Sequence, residues 1–219
     1  MGKLYLSGGG DEKQAFLLDK EFFCSLPQNG RFLYIPIALR GHELYAGANS
    51  WLKNVVALHG RNDLEMETAD DLLKYKFEYL EKFDAIYIGG GNTWSLMKEL
   101  KDSGFSNLII KYLDAGGKIY GGSAGAIIFG KTINTSNDEN NVGLENMSGL
   151  DLLHDYSVVC HFSNNQGEIS KNLPIVCLPE ETGLIIENGN TLCVGTKPCV
   201  VYPAEGARKE LDPGETFNL

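Results

Sequence analysis

The 219-residue sequence predicts an α/β protein, a three-layer sandwich with a mainly parallel central sheet. Two patterns carry this expectation. Short apolar runs end in glycine turns and lead into helical periods, and the last third changes to closely spaced β candidates. The composition is 43% hydrophobic and 22% charged, without internal repeats or low-complexity tracts, and suits a single domain over 1–219.

Residues 3–7 form the first strand candidate, closed by Gly8-Gly9-Gly10 before a mixed helical stretch with Phe16, Leu17 and Phe22. Residues 31–39 read as a strand covered on both faces, with Pro36 inside it. Ala48, Trp51, Leu52, Val55 and Val56 follow a helical period that stops near Gly60. Residues 64–67 suggest a short strand, and Thr68 with Asp71 has capping-box spacing ahead of Leu72, Leu73, Phe77 and Leu80. A strand at 83–88 enters Gly89-Gly90-Gly91-Asn92, followed by a helix with Leu96, Met97 and Leu100 and another near 106–114. Residues 118–120 then lead into Gly121-Gly122-Ser123-Ala124-Gly125. Later β candidates lie at 156–160, 175–178, 183–187 and 191–201, extending or flanking the main sheet.

Net charge is −10 and the isoelectric point is near 4.9, which argues against a general nucleic-acid binder. No apolar run approaches membrane-spanning length, and the first residues run quickly into glycines and charges. A cytoplasmic protein without membrane attachment is the expectation, as a monomer or homodimer. The five cysteines form no C-x-x-C pair and read mainly as reduced, buried small hydrophobes.

The turn at 89–92 admits a plain tight turn, a phosphate site or a backbone anion site. It lacks the third glycine of a dinucleotide fingerprint, since Trp94 stands there, and it lacks a P-loop lysine. The segment around Ser123 is more specific. It fits G-x-S-x-G between strand and helix, a turn that projects a nucleophilic hydroxyl and directs backbone donors at a tetrahedral intermediate. The plainer reading of Ser123 is a helix cap.

A serine nucleophile needs a base. His42 and His59 bracket a helix, and His154 lies in a polar approach to a strand; His161 directly follows an apolar strand, where a parallel sheet exposes catalytic groups. Asp138, Glu139, Glu145, Asp151, Asp155, Glu180 and Glu181 all follow the serine and are open as the orienting acid.

The segments IGGGNTWSLMKEL at 88–100, GGSAGAIIFGKTINTSND at 121–138, CHF at 160–162 and LPEETGLIIENG at 178–189 together resemble peptidase family S51, the group containing aspartyl dipeptidase and cyanophycinase. The resemblance implies a fold like that of class I glutamine amidotransferases, with serine in place of their cysteine. It implies Ser123 as nucleophile, His161 as base, and Gly91 and Ala124 as oxyanion-hole donors. It favours Asp138 as the acid through Thr135-Ser136-Asn137-Asp138, with Glu180 or Glu181 as rivals. Asn92 and Thr93 are expected to shape the first glycine turn.

The implied activity is hydrolysis of small peptides, including dipeptides, through an acyl-enzyme, with no cofactor or metal. The family places an aspartate-binding arginine downstream of the histidine; in the stretch 161–174 the only basic residue is Lys171, the candidate substrate contact, so a preference for N-terminal aspartate is not part of the expectation. An α/β-hydrolase esterase and a non-catalytic small-molecule binder are the competing classes.

Overall fold

The computed structural model describes residues 2–163 and 173–219. Its strands are β1 (Lys3–Ser7), β2 (Arg31–Ile35), β3 (Glu65–Thr68), β4 (Ala85–Ile88), β5 (Lys118–Gly122), β6 (Ser157–Cys160), β7 (Ile175–Leu178), β8 (Thr182–Glu187), β9 (Asn190–Gly195), β10 (Cys199–Tyr202), β11 (Lys209–Leu211) and β12 (Thr216–Asn218). The helices are α1 (Phe16–Cys24), α2 (Ala48–Leu58), α3 (Phe77–Leu80), α4 (Thr93–Asp102), α5 (Phe105–Asp114) and α6 (Ala124–Ile127).

The larger sheet has the order β12-β9-β8-β1-β5-β4-β2-β3. Strands β1 to β5 pair in parallel, whereas β8, β9 and β12 add an antiparallel wing beside β1. This is the expected mixed α/β architecture. The later strands do more than extend it: β11, β10, β7 and β6 form a separate four-stranded sheet, in which β6 and β7 run parallel.

Alternation along the central strands creates the layers. Leu4, Leu6, Leu33, Ile35, Ile86, Ile88 and Ile119 pack with α4 and α5 on one face. Tyr5, Phe32, Tyr34, Tyr87 and Tyr120 turn to the other face against α1 and α2. Successive side chains on a strand point in opposite directions, so fully apolar runs occupy two cores at once.

Three local expectations change. The run at 31–39 stops as a strand at Ile35, because Pro36 lacks the ladder N–H, and residues 37–39 make a 3-10 turn. Thr68 ends β3 instead of capping a helix; Asp71 caps a 3-10 turn at 72–74, where Leu72 is buried but Leu73 is 74% exposed. The single β candidate at 191–201 divides into β9 and β10, which belong to different sheets.

The aromatic face encloses a carboxyl group. Asp19 of α1 is 1% exposed, and its Oδ1 has no hydrogen-bond partner among the described residues. Burial pushes its carboxyl up to about 7, partly offset by the Tyr120 hydroxyl. A raised carboxyl value favours the protonated folded state: its contribution is fully present below the unfolded value near 4 and is lost as pH rises through about 7. Asp19→Asn is therefore expected to raise stability at pH 8 by roughly a few kcal/mol, and by much less at pH 5. Denaturant melts at the two pH values measure the difference. An equal effect at both would contradict this electrostatic account.

Candidate active site

The carboxyl ends of the parallel strands converge on Ser123. It follows β5 and precedes α6 with φ 51° and ψ −110°, a backbone conformation that most residues avoid. The Ser123 N–H donates to the Ser7 carbonyl at 3.1 Å, which ties this turn to the end of β1. Small neighbours are necessary because the turn is crowded: a Cβ on Gly125 would run into the Ile88 carbonyl.

The second sheet supplies the partner groups through its register. β6 and β7 are parallel, with Cys160 opposite Leu178. His161 leaves the end of one strand, and Glu180 stands two residues beyond the other. The His161 N–H donates to the Gly8 carbonyl at 2.8 Å, and the Phe162 N–H to the Leu178 carbonyl at 3.1 Å. These bonds hold the histidine turn between the two sheets.

Ser123 Oγ is 2.8 Å from His161 Nε2, and His161 Nδ1 is 2.8 Å from Glu180 Oε1. With Nδ1–H donating to the carboxylate, neutral Nε2 is the acceptor for the serine proton. The His161 hydrogen bond, followed by the Gln14 amide, holds the Glu180 carboxyl below its ordinary range. Gln14 Nε2 donates to Glu180 Oε2 at 2.6 Å, so both carboxylate oxygens are engaged.

This arrangement corrects the expected role of Asp138. Among the described residues, the carboxylate hydrogen-bonded to His161 is that of Glu180. Asp138 Oδ2 instead accepts from the Thr93 N–H at 2.7 Å, the Thr93 hydroxyl at 2.7 Å and the Ser136 hydroxyl at 2.8 Å. Glu181 turns to the Thr196 hydroxyl and Lys197, whose bonds hold its carboxyl low. Asn92 caps α4 by accepting from the Ser95 N–H, and its amide donates to the Glu139 carbonyl. Asn92 and Thr93 thus fasten the 138–139 segment to the first glycine turn.

Gly90 brings that turn against the serine: a Cβ there would lie 3.2 Å from Ser123 Cβ and 3.8 Å from Oγ. The adjacent Gly91 has φ 134°, and the Asn92 N–H anchors the turn to the Ala38 carbonyl at 2.7 Å. Neither the Gly91 nor the Ala124 N–H donates to a protein acceptor among the described residues. Both are placed in the turns that flank Ser123. A cavity of about 570 Å³ opens over them, lined by Arg40, His42, Asn92, Ser123, Asp138 and His161 among others.

Linear motifs did not single out Gln14 or the individual role of Gly9. Gly9 has φ 100°, and a Cβ on it would fall within the His161 imidazole. Its N–H donates to the Ser7 hydroxyl at 3.2 Å. The glycine run after β1 was readable as a strand ending, but only the meeting of β1 with β6 makes it the backing of the histidine. Lys171, the candidate substrate contact, lies outside the described residues. His42 stands at the cavity wall with Nδ1 accepting from the Leu44 N–H, while His59 packs against Phe16 and Phe23. Among the described residues, no His, Cys, Asp and Glu group has the arrangement of a metal site.

A strand-to-helix serine, a histidine and a carboxylate in one hydrogen-bonded line, on a mixed α/β scaffold, define a hydrolase-like site. The chain belongs to peptidase family S51, whose family model matches residues 4–198. The chain is 26% identical over 203 residues to "Probable alpha-aspartyl dipeptidase" of Drosophila melanogaster, covering 83% of this chain and 79% of that protein. It is 29% identical over 154 residues to "Peptidase E" of Salmonella typhimurium LT2, covering 63% and 67% of the two chains. A peptidase from an acI-B1 Actinobacterium has a similar fold, with a TM-score of 0.76, 18% identity and coverage of 100% and 97%.

Proposed function

We propose that this protein is a serine peptidase that hydrolyses small peptides through a Ser123 acyl-enzyme, with Glu180 as the acid that orients His161. The continuous Ser123–His161–Glu180 hydrogen-bond line carries the reading. His161 Nε2 takes the hydroxyl proton as Ser123 Oγ attacks the peptide carbonyl. The Gly91 and Ala124 N–H groups receive the negative oxygen that forms. Collapse of the intermediate breaks the C–N bond, and the imidazolium returns its proton to the leaving amine. Water then gives a proton to His161 as it attacks the ester carbonyl, and the second collapse releases the acid and restores Ser123.

The site requires the imidazole to carry a transient positive charge. Glu180 supplies the compensating negative charge and fixes the ring's tautomer, as Gln14 fixes the carboxylate. The Cys160 thiol lies 3.5 Å from the Ser123 carbonyl, yet burial pushes it up and keeps it protonated, so it is no rival nucleophile.

Digestion of a small-peptide library, with product masses as readout, tests the proposal. The expected products are short fragments made by wild type, with turnover lowered about 10⁶-fold in Ser123→Ala. Including Asp-X, Glu-X and neutral dipeptides reads the side-chain preference directly. Equal peptide turnover by wild type and Ser123→Ala would overturn the assignment.

A further inference from the structure

Asp138 is not used by the hydrogen-bonded catalytic line, although it borders the same cavity as Ser123 and His161. Burial pushes up the Cys160 thiol, which lies against the Ser123 carbonyl, and the Cys177 thiol and the Asp138 charge add smaller upward contributions. The segment that carries Asp138 is fastened to the start of α4. Trp94 Nε1 donates to the Asp138 carbonyl at 3.0 Å, the Asn92 amide donates to Glu139, and the Ser95 hydroxyl donates to Asn141 Oδ1 at 3.4 Å.

The two carboxylate oxygens differ. Oδ2 receives the Thr93 N–H and the hydroxyls of Thr93 and Ser136, whereas Oδ1 receives no hydrogen bond among the described residues. Asp138 as a whole is exposed and forms no ion pair among them. The guanidinium on the same cavity wall is directed elsewhere: Arg40 Nη1 is 3.1 Å from Glu99 Oε2, and Nη2 donates to the Asp70 carbonyl at 2.6 Å. One oxygen therefore orients a negative group whose other oxygen is available to a cation entering the cavity.

We infer that Asp138 binds the free α-ammonium group of the peptide substrate and selects unblocked amino termini. This deepens the peptidase reading and rests on it. An ammonium has three donors and a compact charge, which suits a carboxylate whose orientation is already fixed. Acetylation would remove that charge and leave a bulky neutral amide before the same carboxylate. If Asp138 only tied its loop to α4, the two classes of substrate would respond alike to its substitution.

The test compares a cleaved dipeptide, such as Ala-Ala, with its N-acetyl counterpart in wild type, Asp138→Asn and Asp138→Ala. Wild type is expected to prefer the free amine about 100-fold or more in kcat/KM. Asn keeps an oxygen that can accept from Thr93 and Ser136, and it is expected to reduce that preference at least about tenfold. Calorimetric binding of Ala-Ala to Ser123→Ala, with and without the Asp138→Asn change, provides a readout independent of turnover. An equal loss for both substrates, or an unchanged dipeptide Kd, would assign Asp138 to loop structure and overturn the inference. Turnover without amine preference would defeat this inference alone. Absence of both turnover and a Ser123-dependent phosphonate adduct would defeat the peptidase reading with it.

Discussion

Glu180→Gln is expected to lower kcat about 10³- to 10⁴-fold with a smaller change in KM. The substitution preserves size but removes the charge opposite the imidazolium of the proposed acyl transfer. It also lets an amide N–H face His161 Nδ1, which favours the wrong tautomer and leaves Nε2 protonated toward Ser123. Gln14 adds to the effect, because its amide now meets an amide instead of a carboxylate. Steady-state kinetics with a cleaved dipeptide measures the loss. An effect below about tenfold would show that Glu180 is not the functional orienting acid.

Gly9→Ala is expected to produce the second large loss, about 100-fold in kcat. A methyl group at residue 9 would occupy the space of the His161 ring, while φ 100° also strains any residue other than glycine. The ring can move, but movement breaks its placement between Ser123 Oγ and Glu180 Oε1. NMR of the histidine nitrogens provides the structural readout, since loss of the Glu180 contact changes the Nδ1 proton signal. Near-wild-type kcat with an unchanged signal would contradict the proposed function of this close approach.

Much of the parallel sheet was legible because buried strands need apolar residues on both faces. The alternation of Leu4 and Leu6 with Tyr5, and of Ile86 and Ile88 with Tyr87, belongs to this class. The helical periods likewise identify the buried side of α4 and, apart from the exposed Trp51, that of α2. By contrast, the separate sheet depends on partner choice between distant segments. β9 and β10 follow one another closely in sequence, yet one joins β8 and the other β7. Local propensity does not distinguish these pairings.

The site follows the same division. Ser123 was readable from a crowded turn, and His161 from a polar residue after an apolar strand. Asp138 fitted a local family pattern, but its Oδ2 accepts from Thr93 and Ser136, and the histidine's carboxylate partner among the described residues is Glu180. Glu180 reaches the histidine because β6 and β7 share a parallel register. Gln14 becomes visible only when the loop after β1 folds over that carboxylate. The difference is between chemistry encoded by a turn and chemistry assembled by long-range strand pairing.

The most direct measurement is intact-protein and peptide mass spectrometry after exposure to an aminoacyl phosphonate ester. The expected result is one covalent phosphonyl group on Ser123, strongly slowed by Glu180→Gln and absent from Ser123→Ala. Labelling at another residue, or equal labelling of wild type and Ser123→Ala, would contradict nucleophilic catalysis by the Ser123–His161–Glu180 line.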